Sequence, residues 1–343
     1  MNATVLGAGS WGTALAILLA RNGIEVALVG RDEDEMRSMA ASRENIRYLP
    51  GFAIPQNVRY CALSEVPEQA DLWVVAVPAG AVRAMLPHVR GESPLVALAS
   101  KGIDPTQALL MHELLATHPT TKGARVAALS GPNLAVEIVR GIPTAAVAAS
   151  PDLEVADRVR AAFSGPTFRV YVSRDLVGVE LAGALKNVLA IAAGVSDGLG
   201  FGDNSKGALL ARGLYEMTKL GLAMGAKLET FMGIAGVGDL FATANSRLSR
   251  NYRVGYALGQ GQSLHNALDE VGQVAEGVAT SECVGVLARR HGVEMPVFEA
   301  IELVIRGRIR PLEGVSRLME RLPKEEASLV GPESHLEHRL DMS

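Results

Sequence analysis

The first twelve residues constrain the fold more tightly than any other stretch of this chain. Met1 to Gly12 read Met-Asn-Ala-Thr-Val-Leu-Gly-Ala-Gly-Ser-Trp-Gly, a short apolar strand running directly into Gly-x-Gly-x-x-Gly. A helical stretch, Thr13–Arg21, follows and is closed by Asn22-Gly23. Glycine-rich hexamers also occur in turns that bind nothing. A strand before and a helix after is the context in which this one holds a dinucleotide. Gly7 permits the tight turn, Gly9 lets backbone approach a pyrophosphate with no Cβ in the way, and Gly12 lets helix pack on strand. The N–H groups that open the helix then face the diphosphate, at the positive end of the helix dipole.

The end of the second strand decides which dinucleotide. Ile24–Val29 is that strand and Gly30-Arg31-Asp32 follows it. Arg31 lies where such a unit meets the adenosine ribose, about 20 residues beyond the glycines. An acidic residue directly after the strand would accept from the 2′-hydroxyl and favour NADH. Gly30 stands there instead, and Arg31 can pair with a 2′-phosphate. NADPH is therefore the preferred expectation, with NADH accepted. Asp32 is a second candidate for a ribose hydroxyl.

At 343 residues the chain is long enough for two domains. It is 48% hydrophobic but only 4% aromatic, so its core is built from Ala, Val, Leu and Ile, as in buried parallel strands and closely packed helices. A net charge of -4 leaves no electrostatic footprint for nucleic acid. Cys61 and Cys283 are far apart and lack metal-ligand spacing, which predicts reduced thiols and no metal. The start has no basic region before an apolar run, and no uncharged apolar run approaches the length of a bilayer span, so a cytoplasmic protein is expected.

The first half alternates strand and helix patterns. Further strand candidates are Val58–Cys61, Leu72–Val77, Leu95–Ala99, Val126–Leu129, Ala145–Ala149 and Phe168–Val172. Short β-branched runs that stop at Pro or Gly, with helix-length stretches between them, indicate βαβ units and a mostly parallel, doubly wound sheet of Rossmann type. Ligands in such sheets sit beyond the carboxyl ends of the strands, which draws attention to Pro78, Lys101 and Gly131–Asn133. From about Asp175 the pattern turns helical: Val177, Leu181, Leu185, Val188, Leu189 and Ala192 recur at helical spacing. Residues 207–225, 263–270, 280–292 and 296–304 also read as helices. The expected organisation is a dinucleotide-binding domain over 1–173, an all-α substrate and catalytic domain over 174–323, and a polar mobile tail over 324–343.

Three features of the second half suggest chemistry. Lys186 sits in the helix opening that domain among small residues (Ala182, Gly183, Ala190), which lets a bound cofactor come close. Buried near a second cation, its ammonium would lose preference for charge and could give a proton to a carbonyl oxygen as hydride reaches the carbon. An exposed helix lysine is the plainer reading; Asn187 beside it and Gly183 one turn back weigh against that. Gly233–Gly238 has neither a preceding strand nor the Lys-Ser or Lys-Thr of a P-loop, so it is expected to be a sharp connection that brings Asp239 next to Lys186, with Thr243 on the same side. Ser249 is a good N-cap for the run Tyr252–Leu258. That leaves the N–H groups of Arg250 and Asn251 at a helix start, where a guanidinium and a carboxamide complete a phosphate site.

Gly-Ala-Gly-Ser-Trp-Gly-Thr-Ala at the start, Ser-Lys-Gly at 100–102, Ser-Gly-Pro at 130–132 and Gly-Ala-Leu-Lys-Asn-Val at 183–188 come in that order. Gly-Val-Gly-Asp-Leu at 236–240, Ser-Arg-Asn at 249–251 and Val-Ala-Glu-Gly at 274–277 continue the series. Together they resemble the bacterial NAD(P)-dependent glycerol-3-phosphate dehydrogenases over nearly the whole chain. The resemblance implies reduction of dihydroxyacetone phosphate to sn-glycerol 3-phosphate, the backbone precursor of phospholipids. It further implies that Ser10, Trp11, Arg31 and Ala135 contact the cofactor, with Val274 and Glu276 holding it from the helical domain. Lys101 meets cofactor and substrate, and Lys186 is the proton donor and acceptor. Gly131, Asn133, Asp239, Ser249, Arg250 and Asn251 fall at substrate-contacting positions, and Arg250 also reaches the cofactor. One departure stands out: Asn133-Leu134 replaces the family's usual Ser or Thr followed by Phe. A carboxamide substitutes for a hydroxyl in hydrogen bonding, but it is larger.

Two other readings compete. A β-hydroxyacid-type dehydrogenase would place a carboxylate where phosphate is expected, since arginine binds either anion. A non-catalytic dinucleotide sensor would give no reason for Lys186, Asp239 and Arg250 to occur together. The apolar helical half can also support a homodimer.

Overall fold

A computed structural model describes residues 1–322, so the tail expected over 324–343 lies outside the described residues. The first half contains β1 (Asn2–Leu6), β2 (Glu25–Gly30), β3 (Glu44–Asn45), β4 (Leu49–Ala53), β5 (Val58–Ala62), β6 (Leu72–Val75), β7 (Leu95–Leu98), β8 (Arg125–Ser130), β9 (Thr144–Ala149) and β10 (Phe168–Ser173). Its helices are α1 (Ser10–Arg21), α2 (Glu33–Ser42), α3 (Ala79–Met85), α4 (Met111–Ala116), α5 (Ala135–Val139) and α6 (Leu153–Phe163). Among the described residues, everything after β10 is helical. The run begins with α7 (Leu176–Gly198), α8 (Asp203–Ala223), α9 (Leu228–Met232), α10 (Asp239–Ala244) and α11 (Arg250–Gly259). It ends with α12 (Leu264–Val271), α13 (Glu276–His291), α14 (Pro296–Ile305) and α15 (Pro311–Met319).

Eight strands form one sheet in the order β10-β9-β8-β7-β6-β1-β2-β5. Every neighbouring pair is parallel except β8 and β9, where Leu129 faces Ala148 in an antiparallel ladder. Setting the small hairpin aside, the order outward from β1 is the Rossmann arrangement, and its crevice opens where the connections diverge, between β1 and β6. Apolar clusters cover both faces of the sheet: Leu15, Ile17, Leu28 and Val74 on one, Val75, Val82, Val96 and Leu98 on the other. The expected strand Leu72–Val77 stops two residues early, because Ala76 and Val77 already lead into the turn before α3. The antiparallel pair β3–β4 has no counterpart in the sequence reading.

The second half is organised around α7. Almost all of it is buried, and its neighbours α8, α10, α11 and α13 enclose it. α7 is long and apolar enough to cross a bilayer by length and composition, although Glu180 and Lys186 break it into short uncharged runs. Burial of 94% of its most apolar window identifies it as the core helix of this half. α11 crosses it main chain to main chain. A Cβ at Gly194 would lie 2.1 Å from the Tyr252 carbonyl oxygen, and one at Gly255 would lie 2.0 Å from that of Ile191.

Candidate active site

A cleft of about 500 Å³ runs from the carboxyl edge of the sheet to the helical half. At its sheet end the chain leaves β1 through Gly7, whose φ of +117° is one that side chains rarely adopt. A Cβ on Gly12 would lie 1.9 Å from the Gly7 carbonyl oxygen, so α1 packs on the turn itself. Gly9 is the N-cap of α1, and the first turn carries no acidic side chain to neutralise the helix dipole. A Cβ at Gly9 would meet nothing within 4 Å: the space above it is the cradle a pyrophosphate needs. These residues fit a dinucleotide. Trp11 and Ser10 line the same end, and the Trp11 indole donates to the Ala99 carbonyl at 3.0 Å, which fixes its ring beside the end of β7.

Arg31 follows β2 on the exposed rim of this cleft. Asp32 beside it is already engaged through one carboxylate oxygen. It is the N-cap of α2, and that oxygen accepts from the Asp34 and Glu35 amides at 3.0 Å each. The sequence placed it near the ribose because it follows Arg31; the start of a helix claims it first.

At the other end, three charged side chains meet. Lys186 Nζ donates to Asp239 Oδ1 at 2.9 Å and to Thr243 Oγ1 at 2.7 Å. Lys101 Nζ donates to Asp239 Oδ2 at 2.7 Å and to the Gly131 carbonyl at 2.7 Å. One carboxylate thus bridges two ammonium groups. Asp239 is 1% exposed and Lys186 6%. Burial pulls Lys186 down to about 8; Asp239 opposes the shift, and the Lys101 charge adds to it. Burial works against the charge of Asp239, but the two lysines outweigh it and hold the carboxyl below its ordinary value. The connection ahead of Asp239 is a π-helical turn, Ile234–Gly238, that runs straight into α10. A Cβ on Gly236 would lie 2.1 Å from the Phe231 carbonyl, so the glycine allows the tight path that aims Asp239 at α7.

Gly131 does not itself line the cleft; it acts through its carbonyl, which holds Lys101, and its φ of +150° suits glycine. Asn133 and Ala135 do line it. The Asn133 amide donates to the Ala145 carbonyl at 3.2 Å, and its Oδ1 is buried without a partner. Ser249 caps α11 by accepting from the Tyr252 amide at 3.2 Å, leaving the Arg250 and Asn251 amides at the first two helical positions without intrahelical partners. The Asn251 carboxamide lines the cleft and is also engaged within the protein. Its Nδ2 donates to Asn187 Oδ1, and its Oδ1 accepts from the Gly277 amide, both at 2.9 Å. Arg250 lines the cleft, and burial lowers its pKa while Glu276 opposes that shift. Glu276 opens α13 and accepts from the Ala79 amide at 3.2 Å, bridging the two halves. Burial raises its carboxyl to about 7, against that hydrogen bond and Arg250. Val274 stands exposed on the rim.

The sequence reading missed the chain from Asn187 through Asn251 to Gly277, and the Glu276 bridge. Asn187 and Asn251 are 64 residues apart, and no local pattern signals their pairing.

Residues 2–156 match the family model described as NAD-dependent glycerol-3-phosphate dehydrogenase N-terminus, and residues 175–316 match that of its C-terminus. A protein of Acidovorax sp. (strain JS42) named glycerol-3-phosphate dehydrogenase, NAD(P)+, is 46% identical over 330 residues, covering 95% of this chain and 99% of the relative. One of the same name from Streptomyces griseus is 45% identical over 331 residues, covering 95% and 98%. The crystal structure of a glycerol-3-phosphate dehydrogenase from Coxiella burnetii superposes with a TM-score of 0.87 at 37% identity, over 93% of this chain and 99% of that one.

Proposed function

The chain belongs to the NAD-dependent glycerol-3-phosphate dehydrogenase family, and from that membership we propose how its residues divide the reaction. The protein is an oxidoreductase that reduces dihydroxyacetone phosphate to glycerol 3-phosphate with NADPH or NADH. Gly7, Gly9 and Gly12, with Ser10, Trp11, Ala135, Val274 and Glu276, would hold the dinucleotide, which would supply the hydride when bound. Lys186 gives the proton: its ammonium stabilises the negative charge growing on the ketone oxygen and then protonates it. In the reverse direction the neutral amine takes the proton back. A pKa of about 8 leaves both forms populated near neutral pH. Asp239 and Thr243 aim the amine, and Lys101 adds positive charge beside the reacting oxygen. Arg250 and the free amides that open α11 hold the phosphate, Asn133 lies against the substrate, and Ser249 and Asn251 shape the anion site. The observation that carries this reading is the buried Lys186–Asp239–Lys101 bridge in the cleft that begins at the glycine turn. Loss of NADPH absorbance with a panel of ketones tests it. Dihydroxyacetone phosphate should be the best substrate, and faster turnover of a 2-keto acid would contradict the phosphate assignment.

Arg250→Ala should raise the KM for dihydroxyacetone phosphate by about 10- to 100-fold, the value of a charge-assisted contact. Part of the loss should appear in kcat, because binding energy from a remote phosphate orients the reacting centre. Unphosphorylated dihydroxyacetone should respond little, and equal losses for both ketones would rule out the anchor role.

We propose NADPH as the preferred dinucleotide, supported by Arg31 on the rim after β2 and by the absence of an acidic residue at Gly30. Arg31→Ala should weaken NADPH by about 10-fold or more and leave NADH nearly unchanged, as measured by the two Kd values. An equal effect on both would make Arg31 a bystander.

A further inference from the structure

The segment between β7 and α4 is encoded in the dinucleotide-binding half but built into the helical one. Ile103, Ala108 and Leu110 are at most 4% exposed and belong to the same apolar core as Leu181, Leu185 and Val284. Ala108 is held at a φ of +52°, which alanine adopts only where its surroundings impose it. Polar contacts tie the segment to helices of the second half along its length. The Lys101 carbonyl accepts from Asn187 Nδ2 at 3.5 Å, and the Asp104 carbonyl faces Cys283 Sγ at 3.8 Å. The Gln107 and Ala108 carbonyls accept from Arg290 at 3.3 and 3.4 Å. At the far end the His112 amide donates to Glu180 Oε1 at 3.0 Å, and the His112 ring pairs with the other carboxylate oxygen. Glu180 is buried in α7, six residues before Lys186. The helix that carries Lys186 therefore grips both ends of the segment that carries Lys101.

We propose that Glu180, acting through His112, is a positioning residue for the reaction: it pins this segment so that Lys101 stays with Lys186 and Asp239. The charged trio is then held together by the protein's own contacts.

The test compares the wild-type chain with Glu180→Ala, measuring kcat for reduction against pH and the KM for NADPH. The groups facing Lys186 are Asp239, Lys101, Thr243 and Arg250, and of these only Lys101 is carried by the pinned segment. Releasing it removes a neighbouring positive charge and leaves Asp239 to Lys186 alone; both changes favour the ammonium. The alkaline limb of reduction, where Lys186 loses its proton, should therefore move to higher pH. kcat should fall by about 10- to 100-fold, the penalty for a small misplacement of a catalytic group, with the KM for NADPH within about twofold of wild type. Glu180→Gln, which keeps an acceptor for the His112 amide, should recover most of the rate. If Glu180→Ala does not fold, His112→Ala, on the half-buried side of the pair, carries the same measurement. A folded variant whose alkaline limb stays at the wild-type pH overturns the proposal, because structural damage alone lowers rate uniformly across pH. The inference rests on Lys186 as the acid, and the two failures are separable: no alkaline limb in the wild type sinks that assignment, an unmoved limb in the variant sinks this one.

Discussion

Lys186→Met is expected to lower turnover by about 100- to 10,000-fold or more while leaving NADPH binding intact. Hydride adding to a ketone leaves charge on oxygen, and Lys186 is the buried ammonium whose pKa of about 8 suits it to give and take that proton. Methionine matches the aliphatic stem of lysine and removes the ammonium, so the packing of α7 survives. The glycine turn and α1 lie in the other half of the chain, which is why binding and catalysis should come apart. Turnover follows from NADPH absorbance and binding from the quenching of protein fluorescence. Near-wild-type turnover in the variant means that the proton comes from another group.

Asp239→Asn should have the second largest effect, in both stability and pH dependence. Asp239 raises the pKa of Lys186 against burial and against Lys101. Without its charge, Lys186 loses its proton at lower pH, so the alkaline limb of reduction should move towards acid and the rate at neutral pH should fall. Oxidation of glycerol 3-phosphate needs the neutral amine, and its rising limb should move in the same direction. The buried Lys186 ammonium and the half-buried Lys101 ammonium would also lose the carboxylate that neutralises them. Breaking a buried ion pair in this way costs about 3–5 kcal/mol, readable as a drop in Tm. If the limb and Tm both stay where they are in the wild type, Asp239 does not control Lys186.

Much of this site was legible because it depends on local rules. The spacing of Gly7, Gly9 and Gly12 announces a turn whose geometry few other residues can make. The recurrence of Leu and Val through α7 announces a buried helix, and Lys186 within it then reads as a buried lysine. Ser249 fulfils its role as cap because capping depends on the three residues that follow it. What escaped depends on partners far away in sequence. The run Thr144–Ala149 looks like any buried strand, and nothing in its residues tells that β9 runs against β8; the route of the chain decides that. The hairpin β3–β4 contains Pro50 and Gly51 and lacks apolar alternation, so no period marks it. α13 begins at Glu276, four residues before the expected start, because the carboxylate that opens it reaches the Ala79 amide on the other half. Asp32 and Asn251 were placed in the right neighbourhood but were already engaged, one by a helix start and one by a neighbouring amide.

The crossing of α7 and α11 gives the site a gauge. On the roles proposed above, α7 carries the proton donor and the first turn of α11 carries the phosphate anchor. At Gly194 and Gly255 the helices touch through main-chain atoms, and the smallest added side chain would strike a carbonyl oxygen. Main chain in mid-helix has no rotamers, so the gap between acid and anchor cannot stretch by a side chain swinging aside, as it could between helices cushioned by Leu or Met. The separation of carbonyl and phosphate in the substrate is measured against a length that the backbone itself sets.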